Sequence, residues 1–139
     1  MGVTRYLADK SALARLHLPP VREILVPLME RGLVAICGPT ELQMLFSVRN
    51  LADRQRAKAQ LDAALGWVET PDDLWRSASE LQEALTAKGH HRSAGVADLT
   101  IAVTAAAHRL TVLHYDHDFD TIAEHTGQPT QWVVPAGTV

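Results

Sequence analysis

Five carboxylates are spaced so that they could act as one group: Asp9, Glu41, Asp98, Asp116 and Asp118. Asp9 directly follows the apolar run Tyr6-Leu7-Ala8, and Asp116 directly follows Thr111 to Tyr115. Glu41 and Asp98 each fall in the first turn of a candidate helix. Two unit charges about 4 Å apart repel by ~4 kcal/mol at an effective dielectric of 20. Four such groups in one cleft therefore need a cation or proton uptake. Oxygen donors without cysteine favour Mg2+, with Mn2+ as a substitute, over zinc. Such an ion polarises a phosphoryl oxygen, activates water and stabilises the leaving oxygen. The chemistry expected is phosphodiester hydrolysis without a covalent intermediate.

Each acid also has a plainer reading. First-turn acids complement the helix dipole, which would suffice for Glu41. Turn chemistry would suffice for Asp118. Asp98 resists this reading, because Val96-Ala97, Leu99 and Ile101-Ala102 surround it with apolar residues. Asp9 resists it because it directly follows a buried strand. An acid in either place needs a partner or a metal.

The elements that would position these acids alternate. Strands are expected at Tyr6 to Ala8, Leu33 to Cys37, Trp67 to Glu69, Thr111 to Tyr115 and Gln131 to Val134. Leu33 to Cys37 is apolar without alternation, as in a strand buried on both faces. Ser11 is expected to cap a helix from Ala12 to His17, which Pro19-Pro20 would stop. A second helix is expected from Val21 to Arg31, with Val21, Ile24, Leu25 and Leu28 on its buried face and a kink at Pro27. Gly38-Pro39 opens a third, buried through Leu42, Leu45 and Phe46. A fourth, Leu51 to Leu65, carries Arg54, Arg56 and Lys58 on an exposed face. A fifth runs from Pro71 to Lys88, stopped by Gly89. The alanine-rich stretch Val96 to Leu110 reads as a central buried helix, and Phe119 to His125 as a short last one. The pattern predicts an α/β fold in three layers: one domain, residues 1–139, with helices on both faces of a mainly parallel sheet of about five strands. Ligands of such sheets bind at the carboxyl ends of the strands, where all five acids map.

At 139 residues, 47% apolar and 21% charged, the chain is long enough for one sizeable core. The net charge of −3 excludes a generally basic phosphate binder, so any RNA must meet a local basic patch. One cysteine, Cys37, excludes an intrachain disulfide. The opening MGVTRYLADKS lacks the apolar stretch of a signal peptide, and no run is long enough to span a bilayer, so a cytoplasmic protein with no membrane partner is expected. Ser11 two residues after Asp9 removes the Asp-x-Asp pair of a phosphatase nucleophile.

YLADKSALARL, GPTELQMLFS, HHRSAGVADLTIAVTAAAH and VLHYDHDFDTIAEHTGQPTQWVV, in that order, resemble the PIN-domain ribonucleases of the VapC toxin type. The resemblance extends from Arg5 to Val134. It implies a Rossmann-like PIN fold, an acidic Mg2+ site and endoribonuclease activity on structured RNA such as tRNA or rRNA. It also implies a cognate VapB-like antitoxin and a homodimer. Asp9 and Asp98 match the family's main metal-binding aspartates, Glu41 and Asp116 its other two acids, and Asp118 an auxiliary one. Ser11 matches the hydroxyl that orients the first aspartate, and Arg92 a basic residue before the central helix. The chain departs from the pattern at His114, where many relatives carry Thr or Ser, and at Lys10, where a small residue is common. The alternatives are an RNA-processing nuclease without a toxin role and a PIN-like module that binds RNA or protein without cleaving.

Other residues have competing readings. His114 and His117 could bind a transition metal, but surface loop histidines are the favoured reading. Lys88, His90, His91 and Arg92 could steer a phosphate backbone or be simply solvated. Lys10 and Arg15 are candidate phosphate contacts. Trp67, Trp75 and Trp132 are expected to pack in the core, and Cys37 to be inert.

Overall fold

A computed structural model describes residues 3–139. Its strands are β1 (Tyr6–Ala8), β2 (Val34–Ile36), β3 (Gly66–Trp67), β4 (Thr111–His114) and β5 (Thr130–Trp132). The helices are α1 (Lys10–Leu13), α2 (Pro19–Glu30), α3 (Gly38–Leu45), α4 (Leu51–Ala64), α5 (Leu74–Ala87), α6 (Val96–His108) and α7 (Asp118–Thr126). A 3-10 turn, His91–Ser93, leads into α6. The five strands form one sheet in the order β3-β2-β1-β4-β5. All four pairings are parallel, with Leu7 opposite Ala35 on one side and Val112 on the other.

Period-two alternation sends neighbouring side chains to opposite faces of the sheet. Leu7 and Val112 join Leu85, Leu99, Ile101, Phe119 and Ile122 in a core under α5, α6 and α7. Ala8 and Leu113 join Leu13, Val21, Leu25, Val34 and Ile36 in a second core under α1 and α2. These are the three layers that the alternating pattern predicts. Helix α6 is central and buries Leu99, Thr100, Ile101, Ala102, Thr104 and Ala105.

Several expectations fail at element ends. Pro19-Pro20 do not stop a helix; they open α2, because proline suits the first turn where an amide is unpaired anyway. Pro27 lies inside α2, as expected, and the helix continues past it to Glu30. The first helix is only Lys10–Leu13, and its cap is Asp9, whose side chain accepts from the Ser11 amide. Ile24 is exposed, so the buried stripe of α2 is narrower than expected. On α3 only Thr40 and Leu45 are buried, while Leu42 and Phe46 are 66% and 88% exposed. This helix packs on α1, α4 and α6, which leaves its far side uncovered. Trp67 and Trp75 are exposed rather than in the core. The first lies on a two-residue edge strand, and the second faces outward in the first turn of α5. His114 is not a surface loop residue: it ends β4 and is completely buried.

Candidate active site

The neighbouring strands β2, β1 and β4 place the segments beyond their carboxyl ends side by side. Asp9 follows β1, Glu41 lies in the first turn of α3 after β2, and Asp116 lies two residues beyond β4. Asp98 is the third residue of α6, which packs against both α3 and β4. The Asp9 amide donates to the Leu113 carbonyl at 2.9 Å, joining the ends of β1 and β4. The Ser11 hydroxyl strengthens that junction: it donates to Asp9 Oδ2 at 2.5 Å and accepts from the Tyr115 amide at 2.9 Å.

The three central aspartates share one arrangement. Asp9 Oδ2 takes the Ser11 amide and hydroxyl, Asp98 Oδ2 takes the Gly95 amide at 3.1 Å, and Asp116 Oδ1 takes the Asp118 amide at 2.9 Å. Among the described residues, the second oxygen of each makes no hydrogen bond, and none of the three has an ion-pair partner. Their charges reach one another. Burial, then the charges of Asp9, Asp116 and Asp118, push the Asp98 carboxyl up to about 6, against the Gly95 amide. Asp118 is also raised, by burial and then by Asp116. Among the described residues, no three His, Cys, Asp or Glu side chains stand close enough to grip a metal ion as they are. Each of the three aspartates faces a donor close to it in the chain: Ser11, Gly95 or Asp118. Glu41, unlike the three aspartates, is ion-paired: its Oε1 accepts from Lys58 Nζ of α4 at 2.8 Å.

The remaining candidates are less engaged. Lys10 is exposed beside Asp9, in a shallow depression with Leu42, Gln43 and Phe46. Arg92 is exposed on the 3-10 turn and makes no hydrogen bond or ion pair among the described residues. His90 is tied to His125 of α7, ring nitrogen to ring nitrogen, at 3.0 Å.

A family model for the PIN domain matches residues 6–125. Ribonuclease VapC21 of Mycobacterium tuberculosis is 53% identical over 135 residues, 97% of this chain and 98% of that protein. Ribonuclease VapC51 of the same organism is 43% identical over 97% of each. The chain belongs to the VapC ribonuclease family of PIN-domain proteins. Its fold also matches a chain of a DNA-bound VapBC from Salmonella typhimurium, with a TM-score of 0.73 over 95% of this chain and all of that one at 15% identity. A chain of VapBC-1 from nontypeable Haemophilus influenzae gives the same score over 94% and 98%, at 17% identity. Among the described residues, no helix is long and apolar enough to cross a membrane.

In this VapC-family chain, sequence reasoning missed several contacts around the acids. The imidazole of His114, at the position that departs from many relatives, accepts the Asp116 amide on Nδ1 at 3.1 Å. Its proton therefore sits on Nε2, which is buried without a partner. The ring packs on Phe119 and Trp132, with centroids 5.1 and 5.0 Å away. Burial lowers its pKa and keeps it neutral, although Asp120, Asp9 and Asp116 pull the other way. Arg15 donates to the Ser11 carbonyl and lies 4.4 Å over the Tyr115 ring, so it braces the junction between β1 and β4. Its spacing of four from Ser11 on a helix was the available signal. For Lys58 the available signal pointed elsewhere: four residues before Asp62, it reads as half of a surface pair. Cys37 is buried, its thiol pushed up to about 11 chiefly by burial, and so inert.

Proposed function

We propose that this chain is a divalent-metal-dependent endoribonuclease that hydrolyses phosphodiester bonds in structured RNA, tRNA or rRNA, as the toxin of a toxin–antitoxin pair. The relatives named above are ribonucleases. The observation that carries the reading is that Asp9, Asp98 and Asp116 lie at one edge of the sheet, each among the described residues with one oxygen free of hydrogen bonds and no ion-pair partner, and that the charges of Asp9 and Asp116 add to burial in pushing the Asp98 carboxyl up to about 6. Mg2+, with Mn2+ as a substitute, fits this set: the donors are hard oxygens, the one cysteine is an inert thiol, and the His114 imidazole spends Nδ1 on the Asp116 amide while its Nε2 is buried. Asp9, Asp98 and Asp116 would hold the ion, with Glu41 and Asp118 beside them. When bound, the ion supplies Lewis acidity toward a phosphoryl oxygen and makes water acidic enough to attack. Ser11 fixes the rotamer of Asp9, and His114 fixes the backbone that presents Asp116. Lys10 and Arg92, both exposed, provide local positive charge for the phosphate backbone of RNA on a chain that is negative overall.

The same proposal includes a VapB-like antitoxin, a homodimer and action in the cytoplasm. Solved VapBC complexes of the same fold support the antitoxin. The exposed Leu42 and Phe46, close in sequence to Glu41 on α3, support a partner surface there. The test is incubation of the purified protein with total cellular RNA and Mg2+, followed by sequencing of new ends. Discrete new ends are expected, absent with chelator and absent for a folded Asp98→Asn variant. Equal cleavage by that variant, or cleavage indifferent to chelator, would overturn the reading.

A further inference from the structure

Helix α4 has no core of its own: none of its residues from Leu51 to Ala64 is buried. A helix that buries no residue adds little to the packing of a domain. Its surface is basic. Four of the thirteen Lys and Arg residues fall between Arg49 and Lys58, against one acid, Asp53, on a chain whose net charge is −3. Asp53 takes Arg49 at 3.5 Å and Arg56 at 3.2 Å, so one carboxylate serves two guanidinium groups. The side chains of these arginines are 80% and 65% exposed, and exposed pairs of this kind hold weakly. Arg54 makes no ion pair among the described residues. The mount is fixed: the Asn50 side chain accepts from the Asp53 amide at 2.9 Å, and the Asp53 carboxylate accepts from the Arg49 amide at 3.2 Å. The far end of the basic run is tied to the strand-end edge, because Lys58 Nζ lies 2.8 Å from Glu41. Arg54 stands one turn from Lys58, about 6 Å along the helix axis.

We infer that the start of α4, with Arg49, Arg54 and Arg56, is an RNA-binding surface outside the cleavage site, which holds the phosphate backbone of a substrate that also reaches the strand-end acids. A polyanion suits this surface better than a second copy of the chain does. Two copies meeting through it about a two-fold axis would set arginine against arginine. RNA instead brings a row of phosphate charges, which a run of cations leading to the acid edge can follow. A guanidinium group grips phosphate oxygens in pairs, and Asp53 can hold one arginine while the other turns to RNA. Contacts of this kind fix the position of the RNA and carry no base preference. The inference rests on the ribonuclease reading above and extends it: Lys10 and Arg92 serve the RNA near the acids, and α4 serves it further out.

Filter binding of total tRNA to the full-length protein tests it across a series of salt concentrations, with chelator present so that binding is read apart from cleavage. Arg49→Gln, Arg54→Gln and Arg56→Gln are combined in one variant. Its affinity should fall by about tenfold or more at about 0.1 M salt. The slope of log affinity against log salt should become shallower by roughly two, because each lost phosphate contact removes about 0.7–0.9. Lysine at the same three positions keeps the charge and should keep the affinity within about threefold. Arg5, Arg31 and Arg109 are exposed and precede β1, β2 and β4, at the amino ends of the strands. Changing those three to Gln removes equal charge and should also leave the affinity within about threefold. Should the α4 triple variant fail to fold, Arg54→Gln alone carries the test, with a slope shallower by about one. An unchanged slope in the folded α4 variant, as expected if an acidic protein is the occupant, would overturn the inference. So would an equal loss in the two Gln triples. Either result, from a wild type that still cleaves RNA with Mg2+, would leave the ribonuclease reading standing. A wild type that neither binds nor cleaves RNA would remove both.

Discussion

At Asp98, burial and neighbouring negative charge act against ionisation, and the direction of their effect on stability can be worked out. The folded pKa is about 6, above the ~3.9 of an unfolded aspartate. Between these values the folded chain holds a proton that the unfolded chain has lost. The destabilisation by Asp98 is therefore absent below about pH 4 and complete above about pH 6. His114 runs the other way: its pKa is lowered in the folded chain, so its contribution is present above about pH 6.5 and lost as pH falls below that. Comparing Asp98→Asn with the wild type isolates the first effect. In chelator at pH 7.5 the variant should be more stable by about 1 kcal/mol, after allowance for solvent screening and for the lost helix-dipole term. At pH 4 the gain should vanish. Urea denaturation at the two pH values measures it, and equal stability of variant and wild type at both would mean that Asp98 is not crowded. The residue types at Asp9, Asp98 and Asp116 were legible as candidates, because an acid beside a buried apolar run calls for an explanation. The burial of His114 was not legible: histidine is common in loops, and only the packing of Phe119 and Trp132 encloses it.

Among the elements, the junction of β1 with β4 matters most to the site, and Ser11 spans it with one hydroxyl. Ser11→Ala removes both the donor to Asp9 and the acceptor of the Tyr115 amide. It should cost about 1–3 kcal/mol, because a partly buried amide loses its partner. It should also lower the cleavage rate by more than Arg15→Ala does, since Arg15 braces the same turn only through a backbone carbonyl and a ring. Equal stability of Ser11→Ala and wild type in denaturant melts would relegate the hydroxyl to a bystander. Ser11 was expected to cap the first helix, yet Asp9 does so, because its carboxylate reaches the Ser11 amide across one residue. Pro19-Pro20 raised the same difficulty, since proline both ends and begins helices. Which it does depends on whether Val21 and Leu25, one turn apart, find a core to enter.

Across the whole molecule, the sheet order brings the acids to one edge, and on the proposed reading metal binding would therefore be coupled to folding. A divalent ion that binds only the folded chain should stabilise it by about 1.4 kcal/mol at ten times its dissociation constant. For a chain of this size that is about 4 °C in melting temperature. Scanning fluorimetry with Mg2+ or Mn2+ against chelator should read this shift in the wild type and none in Asp9→Asn. A flat response of the wild type up to millimolar metal would count against the site.

The order of residues alone determined the alternation of strands and helices, the two-faced burial of the sheet and the five acids at its carboxyl end. These follow from local rules: apolar period, capping and the short reach of each turn. Tertiary structure alone decided which acids are free. Lys58 is distant from Glu41 in the chain and reads as a surface residue, yet the docking of α4 on α3 brings its ammonium to 2.8 Å. The exposure of Phe46 and the enclosure of His114 were decided in the same way. A side chain's partners depend on how helices pack across a sheet, and that packing is a sum over many distant contacts which no local window of sequence contains.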